Sequence, residues 1–180
     1  MNKKILLAAT TLFILSCSTL LPKGTEQSPQ GNSPQTEASP VASINNELVG
    51  FTEVRLHPED GNLDEMLATE AEKAVAAGLL PVVEFDADWC PPCVAITQHL
   101  KAKNELMLKA YDGTYIIKLD VDEWGWDNGK VEYFTVDAIP VYFKLDDQGK
   151  QTGESIDGGA WNEDIPVNIA PGMDAFFHGG

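Results

Sequence analysis

Apolar positions crowd residues 5 to 15 and thin out from Pro22 to Asn46. From about residue 48 onward they recur with the periods that mark strands and helices. "LVGFTEVRL" reads as a first strand through Phe51, Val54 and Leu56, with imperfect alternation, and His57-Pro58 and Asp60-Gly61 then give a turn. In "NLDEMLATEAEKAVAAG", Leu63, Met66, Leu67, Ala71, Ala74 and Val75 recur at helical spacing. Asn62 is placed to cap that helix, Asp64 and Glu65 suit its positive end, and Gly78 suits its stop. "LLPVVEF" is a short, nearly continuous apolar run, the pattern of a strand buried on both faces. A helix is expected from about Cys93 to Leu108, followed by a second buried strand in "TYIIKLDVD". "PVYFKLDDQGKQTGESI" reads as a hairpin turning near Asp147-Gln148-Gly149. "IPVNIAPGMDAFF" is expected to hold a short last helix, confined by Pro166 and Pro171. Strands alternating with helices and ending in a hairpin predict an α/β sandwich around a mixed sheet.

The first 46 residues do not belong to that pattern. Lys3 and Lys4 precede the apolar run "ILLAATTLFIL", which is shorter than the roughly 20 residues a membrane span needs. The run ends in Ile14-Leu15-Ser16-Cys17, which resembles a bacterial lipoprotein signal, cut before a cysteine that then carries lipid. An ordinary secretory signal with an unrelated cysteine is the competing reading. Under either, the protein is exported to a place where disulfides persist. Ser18 is not the Asp that resembles an inner-membrane retention signal, so in a two-membrane bacterium the outer membrane is favoured. Residues 17–46 then form a lipidated N-terminus and a tether, since a segment dense in Pro, Ser, Gln and Gly cannot bury enough surface to offset its ordering. A coil of that kind spans roughly 25–30 Å. The folded domain is assigned to residues 47–180.

Composition narrows the partners. The chain is 43% apolar, enough for an ordinary core, and carries a formal charge of −16. Binding to nucleic acid or to an anionic lipid surface by charge needs a basic patch, so no nucleic-acid partner is expected.

Three cysteines remain to be explained: Cys17, Cys90 and Cys93. The pair in "EFDADWCPPCVAI" lies between an apolar strand and the start of a helix. A Cys-x-x-Cys pair can hold structural zinc, but there is no second pair, and His57, His99 and His178 show no ligand spacing. No metal and no bound cofactor are expected. A thiol at a helix N-terminus meets unpaired N–H groups and the positive end of the dipole, which stabilise its thiolate, the nucleophile of disulfide exchange. Cys90 is thus placed to attack and Cys93, one helical turn on, to resolve. Pro92 suits a position that needs no N–H.

With these residues in view, "VVEFDADWCPPC" resembles a thioredoxin-family active site, and the resemblance covers about residues 63 to 177. It implies a thioredoxin-like three-layer sandwich and a thiol–disulfide oxidoreductase. Trp89 precedes the first cysteine as in thioredoxins. Glu84 falls where the family has a buried acid that aids proton transfer at the second cysteine, and Lys118 where a lysine neighbours that acid. Ile139-Pro140 resembles the family's cis-proline, which docks the substrate backbone, and Gly158 or Gly159 fits the glycine after the last strand. Each carries a plainer alternative: Glu84 on the outer side of its strand is a surface charge, and Lys118 a solvated strand residue. Trp124 and Trp126 either cap the core or line a partner surface.

The chain also departs from the pattern. Pro91 replaces the glycine usual in thioredoxins, and Gln98 stands where a helix-kinking proline is common. The resemblance, strongest to exported members, implies reduction of disulfides in exported proteins, with an electron-donor thiol protein to recharge the pair. A dithiol oxidase or isomerase is the reverse reading. A copper-type metal-binding assembly module is the alternative of another class.

Overall fold

The computed structural model describes residues 48–126 and 134–179. The signal-like segment 1–16, Cys17 and the tether to residue 46 lie outside the described residues.

Among the described residues, five strands form one mixed sheet: β1 (Thr52–Arg55), β2 (Leu80–Asp86), β3 (Thr114–Asp120), β4 (Val141–Leu145) and β5 (Gln151–Asp157). Their order is β1-β3-β2-β4-β5; β1, β3 and β2 run parallel, β4 pairs antiparallel with β2, and β5 pairs antiparallel with β4. The helices are α1 (Leu63–Ala76), α2 (Pro91–Lys101), α3 (Glu105–Tyr111), α4 (Val121–Trp124) and α5 (Pro166–His178).

The central strands β2 and β3 are buried almost throughout, as near-continuous apolar runs require. Their alternation feeds two cores. Val83 and Phe85 join Leu67 of α1 and Trp124 of α4 in one layer. Val82 and Ile116 join Ile96, Met107, Ile169 and Met173 from α2, α3 and α5 in the other. The described residues therefore form a three-layer α/β sandwich.

Several predicted elements appear as expected. Asn62 caps α1, accepting from Glu65 N–H at 3.2 Å. The hairpin turns through Gly149, which has a φ of 76° and lies so close to α1 that an added Cβ would fall 2.5 Å from the Leu67 carbonyl carbon. Only glycine fits there.

Others differ. The single helix expected from Cys93 to Leu108 starts at Pro91 and is two helices. The chain leaves α2 after Lys101, Lys103 turns to a φ of 55°, and Asn104 caps α3 by accepting from Leu106 and Met107 N–H. Asn104 competes with the backbone for those donors, so the apolar periodicity runs on while the helix does not. The last helix is not short: α5 runs 13 residues. Pro166 opens it at a position whose N–H has no helical partner anyway. Pro171 sits inside, and the carbonyl it deprives of a bond belongs to Val167, which is 60% exposed. The short helix α4, capped by Asp120 accepting from Asp122 N–H at 2.8 Å, has no counterpart in the sequence reading.

Candidate active site

Cys90 ends the loop after β2 and is the N-cap of α2, with Pro91 and Pro92 in its first turn. Neither proline has an N–H to leave unsatisfied, so the dipeptide pre-sets the turn at no hydrogen-bonding cost. The first free amide is that of Cys93, which donates to Cys90 Sγ at 3.3 Å. The two cysteines are joined in a disulfide with Cα atoms 5.3 Å apart. Both are covered, each 2% exposed.

Around the pair, Trp89 is 58% exposed, and its indole N–H donates to Asp122 Oδ2 at 2.7 Å. The Ile139-Pro140 bond is cis, and the Ile139 carbonyl oxygen lies 3.7 Å from Cys90 Sγ. Gly158 N–H donates to the Pro140 carbonyl at 3.1 Å. A Cβ on Gly158 would stand 3.4 Å from the proline ring, so Gly158 rather than Gly159 backs that loop.

Glu84 faces inward and is 2% exposed. Pairing of β2 with β3 sets it beside Lys118, and pairing with β4 sets it beside Tyr142. Lys118 Nζ lies 3.4 Å from Glu84 Oε1, an oxygen with no hydrogen bond. Burial, opposed by Lys118, reinforced by Asp86 and opposed again by a hydrogen bond from Tyr142, leaves the Glu84 carboxyl pushed up to about 7. Burial works to lower Lys118, but attraction to Glu84, Asp86 and Glu53 outweighs it and keeps the ammonium charged. Behind Tyr142, Tyr111 donates to its hydroxyl at 3.0 Å, and burial holds both phenols well above their ordinary range.

The structure thus brings together Cys90, Cys93, Trp89, Pro91, Pro92, Ile139 and Pro140, while Lys118 shares a cavity wall with Cys93 and Glu84 sits beside Lys118 on the neighbouring strand. Trp124 is core: it is 3% exposed and its indole N–H donates to the Leu56 carbonyl at 3.1 Å. Trp126 is partly buried against the same cluster. Among the described residues no group of three or more His, Cys, Asp or Glu side chains converges as metal ligands.

The sequence reading missed Asp86 and Arg55. Asp86 is 4% exposed, and the Arg55 guanidinium clasps both its oxygens, at 2.9 and 2.8 Å. A cavity of about 560 Å³ opens between β1, the Asp86 end of β2, Lys118 and one side of α2 from Cys93 to Lys101, and its wall includes Cys93, Asp86 and Lys118. Strand alternation carried a signal for Asp86, which lies two residues from Glu84 on the same face. Arg55 had none, since its place depends on the register of an edge strand.

A family model, Thioredoxin, matches residues 63–170, which is more than half of the chain. The chain belongs to the thioredoxin family, and its class is thiol–disulfide oxidoreductase. It is 30% identical over 108 residues to thioredoxin H4 of Arabidopsis thaliana, covering 59% of this chain and 82% of that one. It is 34% identical over 89 residues to the chloroplastic thioredoxin-like protein HCF164 of Oryza sativa, covering 49% of this chain but 32% of the relative. Thiol:disulfide interchange protein TxlA of Synechococcus elongatus is 33% identical over 89 residues, covering 49% and 44%. The match therefore spans less than half the length of the last two. Among solved structures, the thioredoxin of Trichomonas vaginalis aligns with a TM-score of 0.39 at 25% identity, covering 59% of this chain and 84% of that one.

Proposed function

We propose that this protein is an extracytoplasmic, lipid-anchored reductase of disulfides in exported proteins, with Cys90 as nucleophile and Cys93 as resolving thiol. The observation that carries this reading is the Cys93 amide aimed at Cys90 Sγ at the head of α2, since that donor and the helix dipole stabilise a thiolate there. In the reduced protein the Cys90 thiolate attacks one sulfur of a partner disulfide. A Cys90–partner disulfide forms and the other partner sulfur leaves as a thiolate. Cys93 gives its proton to the Glu84 carboxylate, and the new thiolate attacks Cys90 Sγ. The Cys90–Cys93 disulfide forms, the second partner sulfur is released, and two electrons have passed to the partner. A donor dithiol protein reverses the sequence to recharge the pair.

Glu84 and Lys118 serve that proton step, with Lys118 linking the carboxyl to the cavity that Cys93 reaches. Ile139 and Pro140 take the partner backbone on the side of Cys90, flanked by the exposed Trp89. Because Cys90 is covered, exchange favours partners that fit these loops over free small disulfides. Export and anchoring rest on Lys3, Lys4, the apolar run and Cys17. The thioredoxin-family membership and the relative named for thiol:disulfide interchange support the chemistry.

Serine variants of the three cysteines in the full chain test the whole reading. Cys90→Ser is expected to abolish reduction of insulin disulfides, Cys93→Ser to trap mixed disulfides with partners, and Cys17→Ser to release the protein from the membrane fraction. Full activity in both Cys90→Ser and Cys93→Ser would sink the mechanism. Equilibration with glutathione or dithiothreitol gives direction: a potential near about −270 mV fits a reductase, and one near about −120 mV a disulfide donor.

A further inference from the structure

Lys118 is shared unequally. Its Nζ stands 2.8 Å from Asp86 Oδ2, 3.3 Å from Glu53 Oε1 and 3.4 Å from Glu84 Oε1. The shortest contact goes to Asp86, although Glu84 is the more deeply buried of the two and Glu84 Oε1 has no hydrogen bond among the described residues. The cause lies on the neighbouring strand. Arg55 grips Asp86 through two parallel N–H···O bonds, and a forked contact of that kind fixes the plane of a carboxylate as well as its position. Arg55 is itself steadied by Asp120, 3.9 Å away. Asp86 is thus locked on the cavity wall with one oxygen presented to Lys118, and the ammonium leans to it.

We propose that Asp86, clasped by Arg55, is a positioning residue that draws Lys118 away from Glu84 and so keeps the Glu84 carboxyl free to trade a proton with Cys93. This rests on the reading of Glu84 as the proton shuttle and adds a second acid to it. A Glu84 closely paired with Lys118 would be a permanent carboxylate, a poor proton donor. A Glu84 without the lysine would be a permanent acid, a poor acceptor. Asp86 sets the compromise, and a group that ionises near working pH serves best in both directions.

Among the described residues, the charged and hydroxyl groups around Glu84 can be placed. Lys118 comes from β3, Glu53 and Arg55 from β1 with Asp120 behind Arg55, and Tyr142 from β4 backed by Tyr111 of α3; Asp86 shares its strand. Cys93 of α2 shares the cavity wall with Lys118 and Asp86. Replacing Asp86 by Asn removes a like charge and frees Lys118 to close on Glu84. Both changes act in one direction, toward easier ionisation of Glu84.

The test is a carbon-13 NMR titration of the Glu84 carboxyl in the oxidised full chain, where neither Cys90 nor Cys93 titrates. Asp86→Asn is expected to lower the midpoint by at least about one unit, a tenfold loss of proton affinity. A merely loosened fold would also lower it, so the same change is made in a Lys118→Met background. There the lowering shrinks by half or more if Asp86 acts through Lys118, and stays undiminished if the fold has loosened. A midpoint that does not move in Asp86→Asn, or an undiminished shift without the lysine, overturns the proposal. The pH profile of insulin reduction in Glu84→Gln separates the two layers of the argument. Loss of its acid limb upholds the shuttle whatever Asp86 does, and an unchanged profile removes the shuttle and this proposal with it.

Discussion

The two faces of strand β2 are built from alternate residues of one seven-residue segment, yet they could hardly differ more. Toward α1 and α4 it presents Val83 and Phe85. Phe85 meets Phe134 and Phe143 edge-on, with ring centroids 5.3 and 6.0 Å away. Toward α2 it presents Val82, then Glu84 and Asp86, and meets two cations, two tyrosine hydroxyls and a cavity. The first face stabilises by removing apolar surface from water, which is non-directional and tolerant of small shifts. The second does the reverse, since burying a carboxylate is unfavourable unless it is paired, and here one oxygen is left unbonded. The dry face carries the stability that lets the charged face exist on the same strand.

The largest break in this contrast comes from the dry side. Phe85→Ala leaves a cavity beside the Phe134 and Phe143 rings and is expected to cost about 3–5 kcal/mol in urea unfolding.

The charged side responds to pH instead. The Glu84 carboxyl has its ordinary value of 4.5 when unfolded and is raised to about 7 in the fold. Folding therefore binds a proton between those values, and the stability this supplies is full below about 4.5 and lost as pH rises through about 7. Relative to Glu84→Gln, the native protein should lose on the order of 3 kcal/mol between pH 4.5 and pH 8, at about 1.4 kcal/mol per unit. Urea midpoints of both proteins across that range decide it, and a pH-independent difference would contradict a buried, raised Glu84.

The smallest effect sharpens the comparison. Tyr115 belongs to the dry core, and its hydroxyl donates to Glu70 at 2.6 Å. Tyr115→Phe keeps the ring and removes one bond, and should cost about 1 kcal/mol with no change in the pH profile of exchange. A shifted profile would mean that the two faces are electrostatically coupled through the sheet.

What the sequence by itself determined is what local chemistry determines. Asn62, the apolar stripe of α1 and the run "LLPVVEF" identify their elements, because capping and periodicity act over a few residues. Cys90 and Cys93 announce thiol chemistry for the same reason: two residues of spacing and a helix start suffice. The cis Ile139-Pro140 bond was legible only through resemblance to the family. Whether Glu84 pointed in or out stayed open along the chain, since a strand buried on both faces gives no inward side. Registry with β3 and β4, the partners that bring Lys118 and Tyr142 beside it, decided that. Tertiary structure was not needed to break the expected helix at Lys103 and Asn104, where a local turn and the Asn104 cap overrode an apolar pattern that did not change. Tertiary structure alone joined Arg55 to Asp86 across 31 residues of chain. A salt bridge of that kind follows from how an edge strand is shifted along its neighbours, and no short window of sequence holds that information.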